Sequence, residues 1–213
     1  MIGLFVRGER ALRLDVIGPD GESEGYLTPL TVAQAGDDEL ISQLTRWRNR
    51  ARGSFLTQFE PTPERTRRWL LETVLPDPAR MLFLIHSGSR LVGQVGFKGL
   101  REATAELDNL IRGEIGGGPR LMLDAEVTLI RWMFETFGLE SIEAVVLSGN
   151  VRPLALHDRI GFERIETVPL ARRARGGEIH LVPCGPGCQE ATGLSMEKLK
   201  LRRDRLCESP ELP

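Results

Sequence analysis

The chain has no apolar run long enough to cross a bilayer; the longest, such as Met81 to Ile85, are far too short. Met1 to Arg10 lacks the basic-then-apolar pattern of a signal peptide, so a cytoplasmic location is the expectation. Cysteine is scarce. Cys184 and Cys188 lie four apart, Cys207 is isolated, and an odd count of three does not suggest a disulfide framework. His180, Cys184 and Cys188 have a spacing that zinc would permit, but no fourth ligand is visible and no metal is expected. Charge of one sign is also missing: 28 basic residues face 30 acidic ones. A net charge of -2 gives no bulk field for nucleic acid or an acidic membrane, and neither is expected as a partner. There is no internal repeat and no linker. A hydrophobic share of 41% in 213 residues suits one soluble domain with one substantial core.

What is present reads as alternating strands and helices. Leu12, Leu14 and Val16 alternate with Arg13 and Asp15, Gly18-Pro19-Asp20-Gly21 is a turn, and Tyr26 to Thr31 is a return strand. Asp37 and Asp38 open a helix with Leu40, Ile41, Leu44 and Trp47 on its apolar face. Thr62-Pro63-Glu64 opens another, which buries Trp69, Leu70 and Val74 and ends at Pro76 and Pro78. Met81 to His86 is a nearly continuous apolar run, hence a strand buried on both faces. Leu91 to Lys98 returns. Ala103 to Ile111 follows, with Ala103, Ala105, Leu107 and Ile111 on one face and Thr104, Glu106 and Asp108 on the other. A helix runs to about Phe137, with a stripe of Leu121, Met122, Ala125, Leu129, Trp132 and Met133, and Gly138 stops it. Ile142 to Leu147 is a strand, Arg152 to Ile160 a short helix, and Phe162 to Leu170 is extended. The basic run Arg172-Arg173-Ala174-Arg175 reads as a turn. Glu178 to Val182 and Leu194 to Leu201 read as a final hairpin, followed by a loose tail after Arg202. The fold class is α/β with a mixed, mostly antiparallel sheet flanked by helices.

The chemistry points to two stretches. Gly113-Glu114-Ile115-Gly116-Gly117-Gly118-Pro119 joins a strand to a helix, with Arg120 next. A helix N-terminus offers free N–H groups, and consecutive glycines let a phosphate approach the backbone. Alone, such a turn reads equally well as a plain connection. It is not a Walker loop, since no Gly-Lys-Ser/Thr follows. It is not a dinucleotide fingerprint, since the strands before it form a meander. The second stretch is Asn150-Val151-Arg152-Pro153-Leu154-Ala155-Leu156-His157-Asp158-Arg159-Ile160-Gly161-Phe162.

Together these resemble the GNAT superfamily of N-acyltransferases. The first resembles its pyrophosphate loop, and the second its asparagine, short tyrosine-bearing helix and Gly-Phe. Trp47-Arg48-Asn49 and the Trp69 helix resemble the subgroup that acetylates amino sugars and related small amines. The resemblance covers about Tyr26 to Leu170. Two positions depart from the pattern: Gly113 stands where Gln or Arg is usual, beside Arg112, and His157 stands where tyrosine is usual.

The resemblance implies acetyl transfer from acetyl-CoA to a primary amine by direct attack with both substrates bound. It implies that the pyrophosphate and pantetheine lie along Leu110, Ile111, Arg112, Ile115, Gly116, Gly117, Gly118, Pro119, Arg120, Asn150, Leu154 and His157. A backbone N–H near Leu110 would receive the oxyanion. Glu106, then Asp108, is the expected base. The two share a face, where they equally suit an acceptor ammonium or plain solvent. His157 can protonate the departing thiolate or simply pack beside Gly161-Phe162. Arg48 and Asn49 would touch the acceptor, or form a solvated helix face. Residues 1 to 31 read as extended, and the domain layout expected is an N-terminal β-hairpin extension over 1–25, a core over 26–170, a C-terminal β-hairpin over 171–203 and a tail over 204–213. Other functions share this fold: an acyltransferase fed by an acyl carrier protein, for which Arg172 to Arg175 would be the basic rim, a GNAT-like domain that binds without chemistry, and acetylation of a ribosomal protein or peptide N-terminus. A homodimer is left open, and so is the acceptor.

Overall fold

Capping and periodicity translate into five α-helices and ten strands in the computed structural model, which describes residues 1–185 and 191–206. The helices are α1 (Ile2–Val6), α2 (Asp38–Arg50), α3 (Pro63–Trp69), α4 (Leu121–Phe137) and α5 (Val151–Ile160). The strands are β1 (Leu14–Ile17), β2 (Ser23–Pro29), β3 (Thr57–Gln58), β4 (Met81–Ser87), β5 (Arg90–Lys98), β6 (Thr104–Arg112), β7 (Ser141–Leu147), β8 (Glu163–Arg175), β9 (Glu178–Pro183) and β10 (Ala191–Arg202). They form one mixed sheet in the order β1-β2-β4-β5-β6-β7-β10-β8-β9-β3. Only β6 and β7 run parallel among the described pairs.

The caps read from the sequence are in place. The Asp37 carboxylate accepts from the N–H groups of Glu39 (2.9 Å) and Leu40 (3.2 Å). The Thr62 hydroxyl accepts from Arg65 N–H, and Pro63 takes the first helical position. Gly138, at φ 64°, closes α4 in the left-handed conformation. Beyond Trp69 the third helix widens into a π turn over Leu70–Val74.

The sheet is covered on both faces. β4 shows why its run is continuous: Met81, Phe83 and Ile85 pack with α1 and α4, while Leu82 and Leu84 pack with α2 and α3. Leu129, Ile130 and Met133 of α4 are wholly buried. Each such side chain contributes roughly 1.5–3 kcal/mol by leaving water. Trp132, half-buried, sits edge-on to Phe83 and Phe137.

Five readings are corrected. Residues 2–6 form a helix, not extended chain; Ile2, Phe5 and Val6 are buried at helical spacing. In β6 the expected alternation holds only to Asp108. Asn109 has φ 56°, and a bulge puts Ile111 on the α2 face with Leu82 and Leu84 rather than with Ala105 and Leu107. The late hairpin is β8 with β9, not β9 with β10; β10 inserts between β7 and β8. Its turn is Gly176-Gly177, both at positive φ, a two-residue hairpin signature. Arg172 to Arg175 therefore lie within β8 instead of forming the turn. The chain after Arg202 makes a 3-10 turn at Arg203–Arg205, and Leu206 packs on the core. Residues 207–213, with Cys207, and the expected loop around Cys188 lie outside the described residues.

The C-terminal turn is held by a close approach. Gly161 ends α5 at φ 105°, and a Cβ there would stand 2.4 Å from the Arg205 carbonyl oxygen. Gly161→Ala should lose about 1–3 kcal/mol in urea unfolding, combining backbone strain with the clash. An unchanged midpoint would remove the contact between α5 and residues 203–206 as a source of stability.

Candidate active site

β6 and β7 are paired only from Thr104↔Ser141 to Leu107↔Ala144. Beyond these residues β6 runs on to Arg112 and β7 to Leu147 without pairing to each other, and the space between them is a cavity of about 800 Å³. The bulge lies on its wall. Gln94 faces Ile111 and Gly96 faces Asp108, so Asn109 and Leu110 together oppose Val95. α4 and α5 line one side of the cavity with Glu126, Pro153 and His157; α2 and α3 line the other with Arg48, Arg65 and Trp69. The segment between α2 and α3 forms the roof. β3 pairs with β9 through Thr57↔His180, and Leu181 N–H donates to the Leu56 carbonyl at 2.7 Å. Asn150 Nδ2 donates across the cleft to the Ser54 carbonyl at 2.9 Å.

Glu106 and Asp108 both face the cavity, as their shared face requires. Neither is bare. Lys98 Nζ lies 3.0 Å from Glu106 Oε1 and 3.7 Å from Asp108 Oδ1, and Arg80 reaches Asp108 at 4.0 Å. The space between the two carboxylates thus already accommodates an alkylammonium.

His157 is 4% exposed, and its Nε2 is 2.8 Å from Oε1 of Glu126, which is 0% exposed. Its ring meets Phe162 edge-on at 4.9 Å. Burial pushes the imidazole pKa down, but the Glu126 charge, a hydrogen bond to it and the Pro153 carbonyl together outweigh burial and raise it.

The glycine loop is built around Trp47. A Cβ at Gly113 would lie 1.9 Å from the indole, which explains why no long side chain occupies that position. The indole Nε1–H donates to Glu114 at 2.7 Å and, with Arg50, holds that carboxyl below the usual range. Arg50, Arg90 and Arg112 donate to the carbonyls of Gly113, Ile115 and Gly116. In a trans peptide the next N–H points the opposite way, so the N–H groups of Gly116 and Gly117 are directed away from Arg90 and Arg112. The N–H groups of Gly116, Gly117 and Gly118 donate to no group among the described residues. Free backbone donors at the turn into a helix are what a phosphate needs, and the guanidinium groups fix the loop from its carbonyl side. Arg120 is turned away: it makes a bidentate pair with Asp124 at 3.0 and 3.1 Å. Glu24 faces Gly118, its carboxyl pKa raised by burial and then by the Asp124 charge.

A family model described as an acetyltransferase (GNAT) domain matches residues 27–163. The chain belongs to the GNAT acetyltransferases. No curated protein matches it in sequence. Solved structures share the acetyltransferase's fold. A ribosomal alpha-N-protein acetyltransferase, RimL, in complex with coenzyme A is 12% identical, with 91% of this chain and 99% of that one covered and a TM-score of 0.66. A probable GNAT acetyltransferase from Chromobacterium violaceum is 16% identical over 92% and 94%, with a TM-score of 0.62. A spermidine N-acetyltransferase from Vibrio cholerae in complex with CoA and spermine is 15% identical over 85% and 97%, with a TM-score of 0.60.

Of the acetyltransferase's expected site residues, the cavity gathers Arg48, Glu106, Asp108, Leu110, Ile111, Arg112, Asn150 and His157. Asn49, Leu154 and the loop from Ile115 to Arg120 are not on its wall; Leu154 packs against the core. Pro119 and Arg120 form the turn into α4, and the Ile115 side chain is 92% exposed. Asn150 makes no side-chain cap on α5. Arg48 lies with its head group over the Phe55 ring at 3.2 Å, donates to the Thr57 carbonyl, and has its pKa pulled to about 10 by burial. It therefore also anchors the roof. Sequence reasoning missed Glu126, Lys98 and the Phe55–Phe59 segment. A carboxylate interrupting the apolar stretch of α4 was the visible sign of Glu126; the others had none.

Gly113→Ala should displace Trp47 and cost about 1–3 kcal/mol by overpacking. The loss should shrink in a Trp47→Leu background, measured as a double-mutant cycle by urea unfolding. Strict additivity would separate the loop from the indole.

Proposed function

We propose that this acetyltransferase moves the acetyl group of acetyl-CoA to the primary amine of a small molecule, such as an amino sugar, by direct attack with both substrates in the cavity. The observation that carries the reading is the gap between β6 and β7, which runs from Arg112, the residue before the glycine loop, to the Glu106–Asp108 pair. Similar structures in complex with coenzyme A support the donor. Named acceptors among similar proteins differ widely, from spermidine to a ribosomal protein to a nucleotide-linked sugar. A small acceptor is favoured by the roof, where β3 pairs with β9 and Asn150 ties Ser54 across the cleft.

Each residue then has a task. The N–H groups of Gly116, Gly117 and Gly118 hold the pyrophosphate, while Arg90 and Arg112 fix the loop from its carbonyl side. Glu106 and Asp108 receive the acceptor ammonium, displacing Lys98, and Glu106 takes its proton directly or through water. The amine then attacks the thioester carbonyl carbon, and the Leu110 N–H at the bulge stabilises the oxyanion. His157 supplies a proton to the thiolate as the carbon–sulfur bond breaks.

Isothermal titration should give micromolar binding of acetyl-CoA to the wild type and none to Gly117→Trp. Gly117 has φ 71°, and a Cβ there already meets Leu121 at 2.3 Å. Wild type that fails to bind would favour a carrier-protein donor or a domain that binds without chemistry. In a screen of amines by free-thiol release, Glu106→Gln should keep acetyl-CoA affinity and lose roughly 10²–10⁴-fold in kcat. Full activity of Glu106→Gln would remove it as the base.

A further inference from the structure

We propose that Glu126 is a positioning residue that holds His157 as the proton carrier of the acetyl-transfer cavity. The inference rests on the acetyl-transfer reading above and adds to it a residue outside both motifs.

Glu126 lies in the middle of α4 among apolar neighbours and is 0% exposed. A carboxylate taken out of water is costly unless a partner neutralises it. Neither of its oxygens has any other hydrogen-bond partner among the described residues, and its one ion-pair contact is His157 Nε2 at 2.8 Å. His157 is held equally tightly. Its Nδ1 is buried beside the Pro153 carbonyl of its own helix without a well-aligned hydrogen bond, and Phe162 packs against the ring edge-on. The pair therefore holds one proton between an imidazole and a carboxylate, with net charge zero, on the wall of the cavity. Among the described residues no other carboxylate comes within ion-pair distance of His157. On its own helix Asp158 is exposed and Arg159 half-buried. From β6, Glu106 and Asp108 face the same cavity but pair with Lys98 of β5 and with Arg80. From α2 and α3, Arg48 and Arg65 are held by the roof and by Glu178.

The proton balance is simple. Breaking the carbon–sulfur bond leaves a thiolate. With Nε2 held on Glu126, the imidazolium gives the thiolate its Nδ1 proton and becomes neutral, and the pair is reset by a proton from solvent or by the one removed from the amine. Glu126 keeps the ring protonated and oriented until that moment, the part a buried carboxylate plays beside a histidine in acyl transfer generally. His157 as proton donor works below the pair's upper pKa, so kcat should fall as pH rises through it.

The test uses Glu126→Gln, which keeps volume and removes the charge, with Glu126→Asp as the conservative variant. The protein has three histidines, so the His157 ring signal is the one absent from His157→Phe. In the wild type that signal should titrate above an ordinary histidine; in Glu126→Gln it should titrate lower. The alkaline limb of kcat should move to lower pH in step, with kcat down roughly 10–100-fold and acetyl-CoA affinity unchanged, and Glu126→Asp should recover part of both. If the ring titrates identically in Glu126→Gln, the coupling is absent and the proposal is wrong. If the ring signal moves but the alkaline limb does not, the pair is structural only, and the proposal is again wrong. A wild type inactive with every amine overturns the acetyl-transfer reading and this role with it; an active wild type with an unmoved limb overturns this role alone.

Discussion

β6 and β7 are the one parallel pair among the described strands, and their hydrogen bonding stops after four residues. An antiparallel neighbour would have closed the sheet there. Each strand instead stays tied to its outer partner, β6 to β5 and β7 to β10, so the two halves part without either losing its ladder. Helices cover both faces of the sheet: α4 packs on residues of β6 and β7 alike on one side, and α2 with α3 lies on the other. The cavity exists because the sheet is held apart at its centre and clamped at its faces.

The bulge at Asn109 is the local form of the same constraint. A residue at positive φ in mid-strand costs energy unless the surroundings require it. Here it shifts the alternation by one after Glu106 and Asp108, which face the cavity, so that Ile111 packs under α2. The loop that follows is shaped from outside by Trp47 and three arginines rather than by its own glycines alone. α2 thus serves the core, the loop and the roof at once, through Trp47, Arg50 and Arg48.

Charge in the cavity is almost entirely compensated by pairs: Lys98 with Glu106, Arg65 with Glu178, His157 with Glu126. Such pairs cost solvation when buried and repay it only with good geometry, so they fix side-chain positions more than they add stability. That suits a site in which an incoming ammonium must replace one already present.

The sequence by itself determined the helices with explicit caps, since Asp37, Thr62-Pro63 and Gly138 are local chemistry. It also determined the buried central strand, the glycine turn and the motif that ends in Gly161-Phe162, and with them the family. It placed Glu106, Asp108 and His157 on elements that reach one cavity, because period-two and period-3.6 patterns assign faces without knowledge of neighbours. Only the tertiary structure decided which strand lies beside which. β10 inserts between β7 and β8 because pairing is chosen among distant edges, and a Gly176-Gly177 turn tells only where a hairpin bends. The same holds for Gly113 against Trp47, for the roof made by β3 and β9, and for Glu126 against His157. These contacts join residues tens of positions apart, and no local periodicity carries the distance between them.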